Sequence, residues 1–233
     1  MGSIGEKHLS RLASPKKWGV KKKGLKWIAK PKSGAHSIEN GIHLLSIFRD
    51  MLKYAQTAKE VKKILSNQEI FVDGIRRKDI RFIVGLMDII FIPKTKESFR
   101  VLLTNKGKLT LVSIKEAEAN LKPCKIIGKT PIKKKIQLNL FDGKNILVDK
   151  ADYKVGDTLL IEVPSLKIKD SFALTKGNQL YLTGGKHIGE NGVLQEIDDK
   201  NIIIKKNKQL IKTSKKYAFV IGKTKSSITL IKE

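Results

Sequence analysis

The sequence predicts an α+β protein that is mostly β and begins with an extended basic arm. Three observations predict this fold class. Residues 1–36 carry ten Lys or Arg side chains against a single acid, Glu6. Two short segments between residues 42 and 65 then repeat apolar residues at helical spacing. From residue 70 onward, short apolar runs alternate with turn residues, which is typical of a barrel or sandwich rather than a parallel α/β sheet.

The basic arm is assigned to residues 1–41. It is too cationic to bury its own apolar surface, because its charges repel one another and would lose hydration. It nevertheless carries Trp18 and Trp27 among its lysines. Stacking on an RNA base and docking on the protein's own β body both fit these rings. The arm is therefore expected to be extended and to be ordered by a polyanion, with RNA the most plausible one.

Two helices and a small sheet are predicted for residues 42–93. Apolar side chains recur from Ile42 to Ala55 and predict the first helix. Thr57 and Glu60 have the spacing of a capping box at the start of the second helix. Its outer face carries Lys59, Lys62 and Lys63, for which solvation and RNA contact both remain open. Asp73-Gly74 suits a tight hairpin turn, and Pro93 ends the last strand of this module.

The remaining chain is predicted to form a central β domain, residues 94–170, and a small barrel, residues 171–233. Asn105-Lys106-Gly107 is expected to be a hairpin loop, and residues 117–121 a short helical stretch. Five strands are expected in the barrel, at 180–182, 192–197, 202–204, 217–221 and 228–231. Within it, the glycine-rich loop 183–193 either lets backbone amides approach a partner closely or only reverses the chain.

Composition limits the classes of function. The formal net charge of +26 calls for an anionic partner, with nucleic acid the usual one and an anionic membrane surface its competitor. Cys124 is the only cysteine, so neither an intrachain disulfide nor a cysteine-based zinc site is expected, and a reducing, intracellular compartment is. The four histidines lack metal-ligand spacing and are expected at the surface or beside RNA. No enzyme, cofactor, metal, membrane partner or small-molecule substrate is predicted.

Three segments together resemble one family. The arm from Lys7-His8-Leu9 to Pro15-Lys16-Lys17-Trp18 is similar to the N-terminal signature of the archaeal–eukaryotic small-subunit ribosomal protein four family. Residues 53–74 resemble its alpha-L RNA-binding module, and the segment Gly85 to Ile90 its closing strand. Thr183-Gly184-Gly185, with the glycines that follow, resembles its KOW motif. The resemblance covers nearly the full length of the chain.

The resemblance implies a structural constituent of the small ribosomal subunit in the cytoplasm. Such a protein binds ribosomal RNA, contacts neighbouring ribosomal proteins and supports subunit assembly. It implies an alpha-L module at residues 42–93 and an SH3-like KOW barrel at 171–233. The implied RNA-binding residues are Lys7, His8, Arg11, Lys16, Lys17, Trp18, Lys21, Lys22, Lys23, Lys53, Lys62, Lys63, Arg76, Arg77, Arg81 and Lys186. The implied KOW loop is formed by Gly184, Gly185, Gly189 and Gly192.

Two alternatives stay open at this point. A free KOW-type factor could use the same modules in translation or transcription, and an RNA-modification enzyme could use an alpha-L module for targeting. The second would need a larger catalytic domain than the chain offers after Pro93. His187 and Glu190 depart from the KOW pattern, which has Asn and a basic residue near these positions. Whether that loop contacts RNA or protein therefore stays open.

Overall fold

A computed structural model describes residues 7–21, 23–24, 26–67, 69–133, 135–149, 152–206 and 209–231. The chain forms two compact units. The first lies within residues 1–102 and 108–115, and the second within residues 103–107 and 116–233. Of the predicted site residues, Lys22 lies outside the described part of the chain.

The arm is folded, so the expectation of an extended arm is wrong for its described residues. Strand β1 (His8–Ser10) pairs antiparallel with β2 (Trp27–Ala29), and Leu9 lies opposite Ile28. Two 3₁₀ turns, Arg11–Ala13 and Lys16–Trp18, lie between these strands. The arm's described cations remain at least partly exposed and therefore hydrated, while few apolar side chains turn inward.

Trp18 anchors the arm to the rest of the first unit. Its side chain is only 3% exposed. The indole Nε1 donates to the carbonyl of Gly41 at 2.6 Å and to that of Ile38 at 3.2 Å. The ring meets His43 edge-on, with 5.2 Å between centroids. Of the two alternatives that the sequence leaves open for Trp18, docking on the protein is therefore the one observed.

A second attachment lies at the end of the arm. His36 is buried, and its Nε2 lies 2.9 Å from a carboxylate oxygen of Asp88. The same oxygen, Oδ2, accepts a hydrogen bond from the Gly85 amide at 2.8 Å, and Oδ1 lies 3.0 Å from His36 Nε2. Because His36 and His43 are both buried, the expectation of histidines at the surface is wrong for these two. Their burial shows them to be packing residues.

The helical part of the first unit is shorter than predicted. Strand β3 (Gly41–His43) occupies the start of the first predicted helix, which is reduced to α1 (Leu44–Ser46) and a π-helical turn, Ile47–Met51. The second helix, α2 (Ala58–Asn67), forms as expected. Its capping box is confirmed, because the Glu60 amide donates to Thr57 Oγ1 at 3.2 Å and the Glu60 carboxylate accepts from the Gln56 amide at 2.8 Å.

The helices stand beside two sheets. Strand β3 pairs with β6 (Ile83–Gly85). A five-stranded sheet has the order β5-β4-β7-β8-β9. Its strands are β4 (Phe71–Val72), β5 (Ile75–Arg76), β7 (Ile89–Ile92), β8 (Glu97–Leu103) and β9 (Leu109–Ser113). The turn Asp73-Gly74 joins β4 and β5 as expected. The domain boundary expected at 93/94 falls inside this sheet, because β7 and β8 are hydrogen-bonded neighbours.

The second unit contains two further five-stranded sheets. The first has the order β12-β11-β10-β13-β14 and the second β18-β17-β16-β15-β19. The first comprises β10 (Leu121–Ile132), β11 (Lys135–Leu140), β12 (Asn145–Val148), β13 (Thr158–Glu162) and β14 (Lys167–Phe172). The second comprises β15 (Gln179–Leu182), β16 (Asn191–Ile197), β17 (Asn201–Lys206), β18 (Gln209–Ser214) and β19 (Ala218–Gly222).

The two sheets of the second unit share one hydrophobic core. Leu160 and Phe172 of the first sheet pack in the same cluster as Leu180, Leu194 and Val220 of the second. Residues on both sides of the domain boundary expected at 170/171 therefore contribute to the same core. No helix among the described residues is long and apolar enough to cross a bilayer.

The strand expected at 228–231 is wrong, because β18 supplies the fifth strand instead. The terminal segment packs on the start of the second unit. Ile228 is buried, and Thr229 donates from its amide and its hydroxyl to the Glu118 carboxylate at 2.9 and 2.8 Å. Glu118 belongs to a 3₁₀ turn, Glu116–Glu118, at the stretch predicted to be helical.

His43 should make the stability of the fold depend on pH. Burial lowers its pKa from 6.5 to about 4, and its Nδ1 accepts a hydrogen bond from the Ser46 amide at 3.0 Å. The unfolded chain binds a proton at His43 more tightly than the folded chain does. The free energy of unfolding should therefore be highest above pH 6.5 and fall as pH drops towards 4. The slope is about 1.4 kcal/mol per pH unit for this residue.

Urea denaturation between pH 4 and 7 measures this slope. His43→Asn keeps an N-cap acceptor without the titrating ring, so the variant should lose this part of the pH dependence even though it packs less well. An unchanged slope in the variant would contradict the assignment.

Candidate nucleic-acid interface

All arginines of the chain lie in the first unit. They are Arg11, Arg49, Arg76, Arg77, Arg81 and Arg100. Arg100 is fully buried, and the others reach the surface at least in part. The cations of the second unit are lysines. Because the planar guanidinium matches phosphate oxygens in pairs and is weakly hydrated, this distribution favours the first unit as the anion-binding surface.

A basic groove of about 730 Å³ opens between the arm and the first helical segment. Four cationic residues line it, Arg11, Lys21, Arg49 and Lys53, together with the carboxylate of Asp50. The Arg49 guanidinium donates to Asp50 through Nε at 2.8 Å and Nη2 at 3.0 Å. Although partial burial opposes it, the hydrogen bond from Arg49 holds the pKa of Asp50 below its usual value. The groove thus keeps an excess of positive charge that no described acid in its lining balances.

Hydrogen bonds and backbone conformation position two of the groove cations. Arg11 is positioned by its own donation from Nη1 to the carbonyl of Lys21 at 2.7 Å. Lys53 has a φ of +58°, a left-handed conformation that costs a residue with a side chain about 1 kcal/mol or more. It follows the π-helical turn, where the Tyr54 amide donates to the Phe48 carbonyl at 2.9 Å. The backbone therefore fixes where the Lys53 stem leaves the groove wall.

Helix α2 presents a second set of cations. Lys59, Lys62 and Lys63 are exposed and line a shallow depression with Thr57 and Ser66. Lys62 also lies beside Lys78 in a neighbouring depression. Since Val61 and Leu65 carry the buried side of α2, its lysines face solvent. The structure thus places Lys62 and Lys63 on the exposed side of α2, where the sequence predicts them.

The three predicted arginines beyond α2 have different partners in the fold. Arg76 lies 3.5 Å from the Glu69 carboxylate and stays exposed. Arg77 lies over the ring of Phe82, at 4.3 Å from its centroid. Arg81 Nε lies 4.0 Å from Asp79, which also pairs with Lys32 of the arm at 2.5 Å. Arg77 and Arg81 are thus engaged in the fold, and Arg76 is the most available of the three.

The predicted site residues of the arm also divide into exposed side chains and side chains engaged in the fold. Lys7, His8, Lys16, Lys21 and Lys23 are exposed, whereas Trp18 is buried and offers no face to a base. Lys17 donates to Asn40 at 2.6 Å. Sequence reasoning omitted Arg49 and Lys78 from the site. Arg49 was recognisable on the polar side of the first helix, but only the structure shows that it faces the arm.

The glycines of loop 183–193 are explained by the protein's own packing. A Cβ at Gly184 would lie 2.5 Å from the Tyr217 ring, and one at Gly192 would lie 2.5 Å from Ile204. Gly189 has a φ of +81°, and its Cβ would lie 2.5 Å from the Thr104 carbonyl oxygen. Gly185, at φ +86°, contacts Tyr217 less closely. The backbone at these glycines therefore lies close to other residues of the second unit.

The charged residues of this loop also have intramolecular neighbours. The Glu190 carboxylate lies 3.4 Å from His187 Nδ1 and 4.0 Å from Lys206 Nζ. Lys186 is exposed. Among the described residues, no group of three or more His, Cys, Asp or Glu could hold a metal ion. The loop therefore offers one exposed cation rather than a phosphate cradle.

Comparisons with known proteins decide the family. Residues 4–39 match the RS4NT (NUC023) domain, and residues 95–168 match the ribosomal family S4e. The small ribosomal subunit protein eS4 of Methanosphaera stadtmanae is 43% identical over an alignment of 239 positions, which covers 99% of both chains. The chain belongs to the S4e family of ribosomal proteins. The family resemblance seen in the sequence is thereby confirmed.

Other S4e proteins agree. The small ribosomal subunit protein eS4 of Methanothermobacter thermautotrophicus is 40% identical over 232 residues, which cover 96% of both chains. The crystal structure of the 30S ribosomal protein S4e from Thermoplasma acidophilum matches with a TM-score of 0.71 and 32% identity, and covers 79% of this chain and 96% of that one. The prediction of a mostly β fold is confirmed by this likeness.

Neutralising a single cation of the S4e interface should flatten the salt dependence of RNA binding. Lys53→Gln in the groove and Lys63→Gln on α2 should each lower the slope of log K against log salt by about 0.7–0.9, because one counterion fewer is released. Lys176→Gln, on an exposed turn of the second unit, is the matched control and should leave the slope unchanged. Filter binding to small-subunit RNA measures the slopes, and equal slopes in all proteins would remove both lysines from the interface.

Gly189→Ala should destabilise the second unit more than Gly177→Ala. Both glycines have left-handed backbones, at φ +81° and +89°, but a Cβ at Gly177 meets nothing within 4 Å. The shared cost of φ is about 1 kcal/mol, so the additional loss at Gly189 reports the contact with Thr104. Thermal or urea denaturation measures the difference. Equal losses would mean that the loop is not held by this close approach.

Proposed function

We propose that this S4e protein is a structural constituent of the small ribosomal subunit that binds ribosomal RNA through its first unit. The observation that carries the proposal is the groove in which Arg11, Lys21, Arg49 and Lys53 converge against one carboxylate. Family membership supports the location, since the relatives are named small ribosomal subunit proteins. The chain is then a ribosome-associated, cytoplasmic, structural protein and not an enzyme.

The binding chemistry follows from the groove and from α2. Ribosomal RNA presents phosphates along an irregular surface, and each cation that neutralises one releases a condensed counterion. Lys59, Lys62 and Lys63 offer three such contacts on one helix face, and the groove offers the guanidinium of Arg49. Because A-form RNA is recognised mainly through shape and backbone, fixed cations on a folded unit position the protein without reading sequence.

The division of the chain into an alpha-L module, a central domain and a KOW barrel is part of the same proposal. We assign residues 42–93 to an alpha-L module, supported by the two helical segments and the β4–β5 hairpin. We assign residues 171–233 to an SH3-like KOW barrel, supported by the sheet β18-β17-β16-β15-β19 and its glycine loop. The central domain, 94–170, corresponds closely to the family match at 95–168.

The partners of the proposed function are small-subunit ribosomal RNA and neighbouring ribosomal proteins. The inward packing of Gly184, Gly189 and Gly192 supports a loop that stabilises the barrel and leaves Lys186 to meet either partner. Neither earlier alternative gains support, because S4e membership accounts for both the arm and the central domain. By holding RNA segments together, such a protein supports assembly of the subunit.

Sedimentation of cell extract through a density gradient tests the proposal. At physiological salt most of the protein should migrate with small subunits, because several phosphate contacts act together. A variant with Arg49→Gln, Lys53→Gln and Lys62→Gln should shift towards the top of the gradient. The matched control replaces Lys154, Lys176 and Lys223 of the second unit by Gln, which removes the same charge. A wild-type protein that stays at the top would overturn the proposal.

A further inference from the structure

The two tryptophans of the arm have opposite environments. Trp18 is 3% exposed and is hydrogen-bonded within the first unit, whereas Trp27 is 54% exposed. Tryptophan is the largest amphipathic side chain, and leaving so much of it in water forgoes its usual gain from burial. Trp27 therefore has a face available for a partner that Trp18 lacks.

Trp27 is held in place by a regular strand pair. It lies opposite Ser10 in the ladder, on the outer side of the pair, while Ile28 turns inward and is buried. Backbone hydrogen bonds flank it on both sides, from the Arg11 amide to the Lys26 carbonyl at 2.9 Å and from the Lys30 amide to the Lys7 carbonyl at 3.1 Å. A partner would meet a platform whose backbone is already ordered, which lowers the entropy cost of binding.

A cationic side chain lies against the Trp27 ring. The Lys26 ammonium lies over the ring at 5.1 Å from its centroid. Between Lys7 and Ile38 the sequence contains no acid. The negative quadrupole of the indole attracts this cation, and a residue that is 54% exposed has ring surface on which a flat π-system can stack. An acidic or aliphatic protein surface would match only one of these two features, whereas a nucleotide matches both.

The platform continues into the basic groove. Arg11 follows Ser10, the strand partner of Trp27, and lines the groove with Lys21 and Lys53. A single RNA strand could thus lay its phosphates along the groove cations and place one base on the ring. Base–aromatic stacking of this kind requires an unpaired base, because a base within a duplex has both faces covered.

We propose that Trp27 is a stacking platform for an unpaired base of ribosomal RNA, with Lys26 and Arg11 neutralising the phosphates on either side. The proposal rests on the proposed function and sharpens it by naming a single-stranded element as part of the binding site. Trp18 attaches the arm to the first unit, and Trp27 stacks on an exposed base.

Tryptophan fluorescence of the full chain tests the platform directly. The probes are a short oligoadenylate, a blunt RNA duplex of the same length, and linear polyphosphate. Oligoadenylate should quench the red-shifted emission of Trp27 and shield it from acrylamide. Duplex and polyphosphate should bind through charge without either effect. The blue-shifted emission of Trp18 should stay constant and reports that the fold is intact.

Substitutions separate stacking from charge. Trp27→Leu should weaken oligoadenylate binding by roughly 5- to 150-fold, the range that base–aromatic stacking supplies, with little change for the duplex. Its salt slope should not change, because no cation is lost. Trp27→Phe should restore part of the affinity. Lys26→Gln is the matched control: it should lower the slope by about 0.7 and keep the quenching of Trp27.

Three outcomes would overturn the platform. Acrylamide could reach Trp27 equally well with and without oligoadenylate, or Trp27→Leu could weaken duplex and single strand alike. Trp27 could also stay open on naked RNA but become shielded in intact small subunits, which would assign the ring to a neighbouring protein. If one of these three outcomes is found while the wild-type chain sediments with small subunits, only the platform fails. If the wild-type chain does not sediment with them, the proposed function fails.

Discussion

Repulsion among the cations of the arm is the constraint on which the first unit depends. A segment with ten Lys or Arg in its first 36 residues must keep these charges in water, so it folds with few buried side chains and is attached by few contacts. Trp18 and His36 provide these contacts with a buried indole and a buried pair to Asp88. The basic groove depends on this attachment, because it places Arg11 and Lys21 of the arm in the same groove as Arg49 and Lys53.

The second unit meets the same charge excess differently. Its core is aliphatic and shared by two sheets, and its lysines lie mostly outside. An exception among the described residues is Lys122, which is fully buried 2.9 Å from the equally buried Asp142. Burial raises the pKa of this carboxyl, but the adjacent ammonium groups of Lys122 and Lys144 outweigh it and keep the pKa low. Breaking such a pair would leave an uncompensated charge in the interior, so the pair binds β10 to the turn after β11.

The parts of the fold that local chemistry determines were predictable from the sequence. The Thr57–Glu60 capping box, the Asp73-Gly74 hairpin and the family signature all depend on near neighbours. No strand was predicted at β10, which contains Pro123, Gly128 and Pro131, residues that strand interiors disfavour. They are tolerated because β10 changes partners, from β13 along residues 121–125 to β11 beyond a bulge at 126–128. The burial of Trp18 was likewise unpredictable, since its acceptor carbonyls lie 20 and 23 residues away.

The order of contacts along the chain has a consequence for synthesis. All residues of the first unit have been made once synthesis passes residue 115, because the unit lies within residues 1–102 and 108–115. The second unit needs Thr229, whose amide and hydroxyl bind Glu118. At elongation rates of roughly 5–20 residues per second, the two events are separated by roughly 6–23 s. The residues that form the basic groove and the exposed face of α2 are therefore all made while most of the β structure of the chain is still being translated.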